Sequence, residues 1–239
     1  MIMTLNPLYV FDLETTGADP ETARIVTFAV GPIYRGKDVY VSPDVRTGIV
    51  NPGVPIEEQA TAVHGVSNEI AEMEGMHPSA ALKIILDSVS DAVTAGAFVV
   101  AYNARFDFTI LEREVRRHLD YSVDSLLSRV HVIDPLVIDK TVDKYRRGTR
   151  RLGPTCQHYG ITLDGWHEAE ADAVAAGRLT WVLADRYPKM FQDLGTLHGR
   201  QVTAAAEQAR SFQHYLRTKK GEVDAYIEPA WPIAPVRED

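Results

Sequence analysis

Two acids two residues apart interrupt an apolar run near the start of the chain: Leu8-Tyr9-Val10-Phe11-Asp12-Leu13-Glu14-Thr15-Thr16-Gly17. The run reads as a central strand. Side chains two apart on a strand share a face, so Asp12 and Glu14 emerge side by side from apolar surroundings. Such a pair repels and is poorly solvated unless a cation sits between its members. The chemistry this implies is metal binding, and further ligands must come from elsewhere in the chain.

Three candidates do so. Asp107 follows an apolar strand, residues 97–102, at the start of a helix. Alone it reads better as a helix cap, but open α/β sheets place their sites at such strand ends. Asp172 lies in a helix whose Ala169, Ala173, Ala176 and Gly177 form a small-residue stripe, which allows close packing on a sheet. Its acidic neighbours Glu168 and Glu170 also suit a solvated face. His167 precedes Asp172 by five residues, about 140° around a helix, so the two share a site only if His167 sits in the loop or first turn. An all-oxygen ligand set favours Mg²⁺ or Mn²⁺ over zinc, and sparse ligation of this kind assists phosphoryl transfer. The sequence contains no Gly-x-x-x-x-Gly-Lys phosphate loop, no Gly-x-Ser-x-Gly elbow and no His-Glu-x-x-His zinc motif.

The elements that must position these residues are readable in outline. After the opening strand, residues 24–30 and 37–41 read as strands of an antiparallel meander. A short helical stretch ends at Val63-His64-Gly65-Val66. Pro78 opens a helix that Gly96 closes. Strand 97–102 leads into a helix bearing Phe108, Leu111 and Val115, and 130–134 reads as a fifth strand. Helices follow to Gly160, then across 169–187. The expected fold is α/β, a mixed five-stranded sheet of three antiparallel strands then two parallel ones, flanked by helices. Residues 1–190 form this domain. Residues 191–239 carry a further helix, 196–220, which packs on the domain or docks a partner, and an extended tail rich in proline.

The 239 residues, 45% of them hydrophobic, suffice for one such domain with decoration. The one cysteine, Cys156, excludes an intrachain disulfide and fits a reducing, cytoplasmic setting. The start lacks a basic segment followed by an apolar one, so no secretory leader is expected, and no apolar run approaches a membrane span. The net charge of −8 argues against bulk coating of nucleic acid, but residues 140–151 hold six basic residues against Asp143. That local arm either tracks a phosphate backbone or is a solvated loop.

Taken together the motifs resemble those of the DnaQ-like 3′–5′ exonucleases of the DEDDh type, which include the proofreading epsilon subunit of bacterial DNA polymerase III. The matching segments are Phe11-Asp12-Leu13-Glu14-Thr15-Thr16-Gly17, then Asn103-Ala104-Arg105-Phe106-Asp107, then His167 with Asp172, and the His64-Gly65-Val66 segment between the first two. The match spans residues 7–187. The resemblance implies an RNase H-like fold and two Mg²⁺ or Mn²⁺ ions on Asp12, Glu14, Asp107 and Asp172, with His167 as general base for the attacking water. It further implies that backbone amides around Leu13, Thr15 and Thr16 receive the terminal 3′ hydroxyl. Phe106, with Val66, His64 and Asn103, would flank the last nucleotide. Tyr102 stands where the family often has histidine. The implied substrate is the 3′ end of DNA, single-stranded or frayed, released as 5′-mononucleotides. RNA ends, as in the oligoribonuclease and RNase T relatives, and a non-catalytic polymerase-associated module are the alternatives. A replication or repair protein, a polymerase among them, is a candidate partner for the C-terminal helix.

Overall fold

The computed structural model describes residues 4–36, 40–41, 44–162 and 169–236. Its sheet is built on β1 (Thr4–Thr15), which pairs antiparallel with β2 (Ile25–Arg35) on one side and parallel with β5 (Ala97–Val100) on the other. β5 pairs parallel with β6 (His131–Ile133). Both β3 (Tyr40–Val41) and β4 (Arg46–Ile49) pair antiparallel with β2. The mixed order of the sheet is therefore as expected, with the third antiparallel lane made of two successive segments. Of the expected third strand, 37–41, residues 37–39 lie outside the described residues. β2 continues five residues past the expected end.

Strand alternation divides β1 between two cores. Phe11 and Leu13 face a layer formed by α3 (Pro78–Ala95) and α4 (Ala104–His118), where they meet Leu82, Ile85, Phe108 and Leu111. Leu8 and Val10 face the opposite layer, with Ile33, Ala173, Leu179 and Trp181. That second layer is mainly α8 (Ala169–Arg186) with α7 (Leu152–His158). β1 is thus buried on both faces, which is why its sequence is a near-continuous apolar run. Asp12 and Glu14 share the parity of Val10 and so point to the α8 side.

The close approach read from the small-residue stripe is present. A Cβ on Gly177 would lie 2.3 Å from Ile33 Cδ1 and 2.8 Å from Val10 Cγ1. Farther along, the Trp181 indole donates to the Leu5 carbonyl at 2.6 Å. α8 therefore runs antiparallel along β1, and its first turn, with Asp172, comes to the carboxyl end of that strand.

The helix α9 (Leu194–Tyr215) packs on β6 and on α6 (Pro135–Val142). It also closes the edge of the sheet. The Val132 amide donates to His198 Nδ1 at 3.0 Å, the Asp134 amide to Gln201 Oε1 at 2.8 Å, and Gln201 Nε2 to the Val132 carbonyl at 2.9 Å. Side chains of one helix thereby satisfy backbone groups that an edge strand would leave open. The chain then returns along α4: the Ala234 amide bonds Thr109 Oγ1 at 3.0 Å, and Arg113 donates to the carbonyls of Ala234 and Pro235. Of the two fates expected for the helix in 196–220, packing on the domain is the one observed. Among the described residues no helix is long and apolar enough to cross a membrane.

Candidate active site

Asp12 and Glu14 stand opposite Ala29 and Thr27 of β2, and the register breaks between Glu14 and Thr15, where the strand leaves the sheet. Such an irregularity at a strand end re-aims side chains. Asp107, in the first turn of α4 and 3% exposed, reaches back so that Oδ1 accepts the Leu13 amide at 3.1 Å. Asp107 is therefore not a cap for its own helix; it joins α4 to the strand that bears the other two acids.

The cap of α4 comes from β6. Asp134 Oδ1 accepts the Asn103 amide and Oδ2 the Ala104 amide, each at 3.0 Å, and Oδ1 also accepts Leu136 N at 2.9 Å, starting α6. Asn103 adopts the left-handed conformation, φ 65°, a position that asparagine tolerates better than most residues. Asp134 thus sets the entry of the turn carrying Asp107. The sequence flags it only as an acid ending a strand before Pro135.

The electrostatics are dominated by like charge. Asp12 is held well above the ordinary carboxylate range, first by burial and then by Asp107, Glu14 and Asp172. Glu14 is pushed up to about 7 by burial and by Asp172. Burial also raises Asp107 well above its ordinary value, against the opposing pull of the Leu13 amide. These acids thus feel one another, and among the described residues no basic side chain appears as a cause of the shifts of Asp12, Glu14 and Asp107. Among the described residues no group of three or more His, Cys, Asp or Glu side chains is placed so that it could hold a metal ion. The fit of a divalent ion rests instead on donor type and charge: hard oxygen ligands whose repulsion a cation would cancel.

The turn after β1 is tightly tied. Thr16 N donates to the Arg24 carbonyl at 2.9 Å, and Arg24 N to Thr16 Oγ1 at 3.0 Å. Thr15 Oγ1 donates to the Gly17 carbonyl at 2.8 Å. The amides of Leu13 and Thr16 are therefore engaged within the protein, which narrows the expectation that this stretch receives a 3′ hydroxyl through them. Gly17 leaves room for the Glu57 carboxylate, which would lie 2.2 Å from a Cβ there.

His64 ends α1 (Glu58–His64), and its Nδ1 accepts the Val66 amide at 3.1 Å. Burial lowers its pKa, partly offset by a hydrogen bond with the Thr15 backbone, so the ring is neutral at pH 7 and lies beside the turn. Val66 is buried with Val26, Ile56 and Ala71, so its side chain supports the local core. Phe106 is half-buried at the start of α4. Tyr102 points away from the acids: its hydroxyl donates to the Arg150 carbonyl at 2.6 Å and bonds Thr155 Oγ1 at 2.9 Å. His167 lies outside the described residues.

The basic arm is only partly free. Asp139, fully buried, accepts from Arg146 at 2.9 Å, from Tyr159 at 2.9 Å and from Arg150. Although burial pushes Asp139 up, those bonds hold it below its ordinary value. Two of the six cations are thus internal counter-ions.

A family model for exonucleases, the RNase T type, matches residues 9–180. The chain belongs to this exonuclease family. The DnaQ-like resemblance of its motifs is thereby upheld. Over 174 residues the chain is 28% identical to the PolC-type DNA polymerase III of Streptococcus thermophilus, covering 72% of this chain but 11% of that polymerase. Among solved structures, E. coli exonuclease I in complex with a dT13 oligonucleotide superposes with a TM-score of 0.66 at 18% identity, over 78% of this chain and 43% of that one. A zinc-bound form of the E. coli exonuclease I complex with single-stranded DNA gives 0.65 at 18%, over 78% and 42%. These likenesses establish the RNase H-like fold of the exonuclease family member described here.

Proposed function

We propose that the protein is a 3′–5′ exonuclease of the DEDDh type that hydrolyses the terminal phosphodiester of DNA to release 5′-mononucleotides. The observation that carries this reading is the meeting of Asp12, Glu14, Asp107 and Asp172 at the carboxyl end of β1, where burial and mutual repulsion raise Asp12, Glu14 and Asp107 and no basic side chain among the described residues offsets them. Two Mg²⁺ or Mn²⁺ ions held by these acids would activate the attacking water and neutralise charge on the departing oxygen. The chain's own residues would do the rest. Asp107 and Asp134 fix the first turn of α4 against β1. The Thr15–Thr16 turn and the neutral His64 ring form a wall against which the last sugar rests, and the Phe106 ring flanks its base, a contact that tolerates any base. His167, five residues before Asp172, takes the proton of the attacking water. A polymerase or repair protein remains the proposed partner, in keeping with the PolC-type relatives. The test is degradation of 3′- and 5′-labelled single-stranded DNA in Mn²⁺, with a matched RNA to decide the sugar. Stepwise loss from the 3′ end by the native protein and none by Asp12→Asn is the expected result. Equal degradation by both, or shortening from the 5′ end, would overturn the reading.

A further inference from the structure

A cavity of about 930 Å³ opens between α6, the loop after it, α9 and the returning segment near Trp231. Its volume lies at the upper end of the range for ligand sites. Its floor is Asn103 and Asp134, at the turn that carries Asp107 into the site. β1 and β6 flank β5, so their carboxyl ends are about 10 Å apart across the sheet. The cavity therefore lies beside the acidic site along the same sheet edge, with its cations inside the span of the family match and its aromatic wall beyond it.

Its walls have two chemical properties. The first is positive charge in a chain of net charge −8. Arg105, Lys140 and Lys144 line it, and among the described residues none has a carboxylate at ion-pair distance. Arg150 also lines it but is held by Asp139, and Arg105 keeps its charge for a phosphate while donating one bond to the Glu228 carbonyl. The opposing acids are Glu207 and Asp134. Both oxygens of Asp134 are already taken, by the amides of Asn103, Leu136 and Ala104 and by the Trp231 indole. The second property is an aromatic shelf. Phe212 and Tyr215 of α9 are 52% and 45% exposed, with ring planes 14° apart and centroids 6.5 Å apart. Cations that follow a backbone, with rings on which bases stack, are the two components of single-strand binding sites.

We propose that this cavity holds the nucleotides upstream of the 3′ end, with phosphates on Arg105, Lys140 and Lys144 and bases on Phe212 and Tyr215. The direction of the strand rests on the exonuclease reading; the binding itself does not. The test is fluorescence anisotropy of a labelled oligothymidylate of about 12 nucleotides, a length within the usual range for single-strand sites, in EDTA so that no turnover occurs. The Lys140→Ala/Lys144→Ala protein should bind about tenfold more weakly, with a salt slope shallower by about 1.4, the loss of two phosphate contacts. Phe212→Ala/Tyr215→Ala should weaken binding about tenfold through lost stacking. Lys83→Ala, on α3, should bind as the native protein does. Hydrolysis of the p-nitrophenyl ester of thymidine 5′-monophosphate, which reaches only the acidic site, should be unchanged in every variant. Lys144, Phe212 and Tyr215 are exposed, so single variants at these positions serve if the Lys140 change impairs folding. Native affinity and salt slope in the lysine variants, or an equal loss in Lys83→Ala, overturns the proposal. A native protein that hydrolyses neither the ester nor DNA, while the cavity variants still lose binding, overturns the exonuclease reading and leaves the cavity as a nucleic-acid site. Oligouridylate of the same length shows which sugar is accepted.

Discussion

Helix α4 buries three acids, Asp107, Glu112 and Glu114, and the fold treats the first and last, about two turns apart, in opposite ways. Glu114 is fully buried between two cations, Arg117 at 3.0 Å and Arg24 at 3.7 Å, with the His118 ring at 3.8 Å. Asp107, 3% exposed, has two backbone amides, that of Leu13 and its own, and the acids Asp134 and Glu14 acting on it. Asp139 repeats the first pattern, with Arg146, Arg150 and Tyr159 around a fully buried carboxylate. The buried acids Glu114 and Asp139 are given basic partners by the chain, and Asp134, which also serves structure, is given backbone amides and an indole instead. Where acids are gathered and the described residues offer Asp12, Glu14 and Asp107 no basic group, a cation from outside is the fitting counter-ion. This contrast, more than the presence of acids, separates the site from the rest of the molecule.

The largest effect should come from breaking the open cluster. Asp107→Asn is expected to cut hydrolysis of labelled DNA by about 10⁴-fold, ~5.5 kcal/mol in the barrier, while Glu114→Gln leaves the rate per folded molecule unchanged. Next comes the closed pattern: Asp139→Asn leaves Arg146 and Arg150 without their acid and should lose about 3–5 kcal/mol in urea unfolding. The pH dependence of the open cluster follows. Glu14 has its folded pKa raised from 4.5 to about 7. An acid raised on folding contributes stability fully below its unfolded pKa and loses it as pH rises through the folded one. The metal-free melting temperature should therefore fall between about pH 5 and pH 8. Mn²⁺ should restore several degrees at pH 8, and Asp12→Asn should flatten the fall. The smallest effect tests a neighbour that carries no charge at pH 7. His64→Ala should raise KM for DNA about three- to fivefold through the lost contact and leave Mn²⁺ affinity as it was, because a neutral ring is no counter-ion.

Much of this was legible in the sequence because it is local. Alternation placed Asp12 and Glu14 on one face, and the Ala-Gly stripe announced the close approach that Gly177 makes to Ile33 and Val10. β4 was not legible: Arg46-Thr47-Gly48-Ile49 has no apolar alternation, and Gly48 is small because Phe28 and Met76 fill the space a Cβ would need. Asp134, His198 and Gln201 were missed for another reason. They bond backbone groups far away in sequence, and such contacts leave no periodic trace. The basic arm was overcounted because Asp139, which neutralises part of it, lies one residue before the window of charge. A fixed window cannot see a partner supplied by the preceding helix turn.

The most direct test of the contrast is calorimetric titration of Mn²⁺ into the native protein, Asp107→Asn and Asp139→Asn at pH 8. The account predicts two ions per native chain, loss of at least one in Asp107→Asn, and native binding by the folded fraction of Asp139→Asn. Absence of binding to the native protein, or undiminished binding to Asp107→Asn, would contradict it.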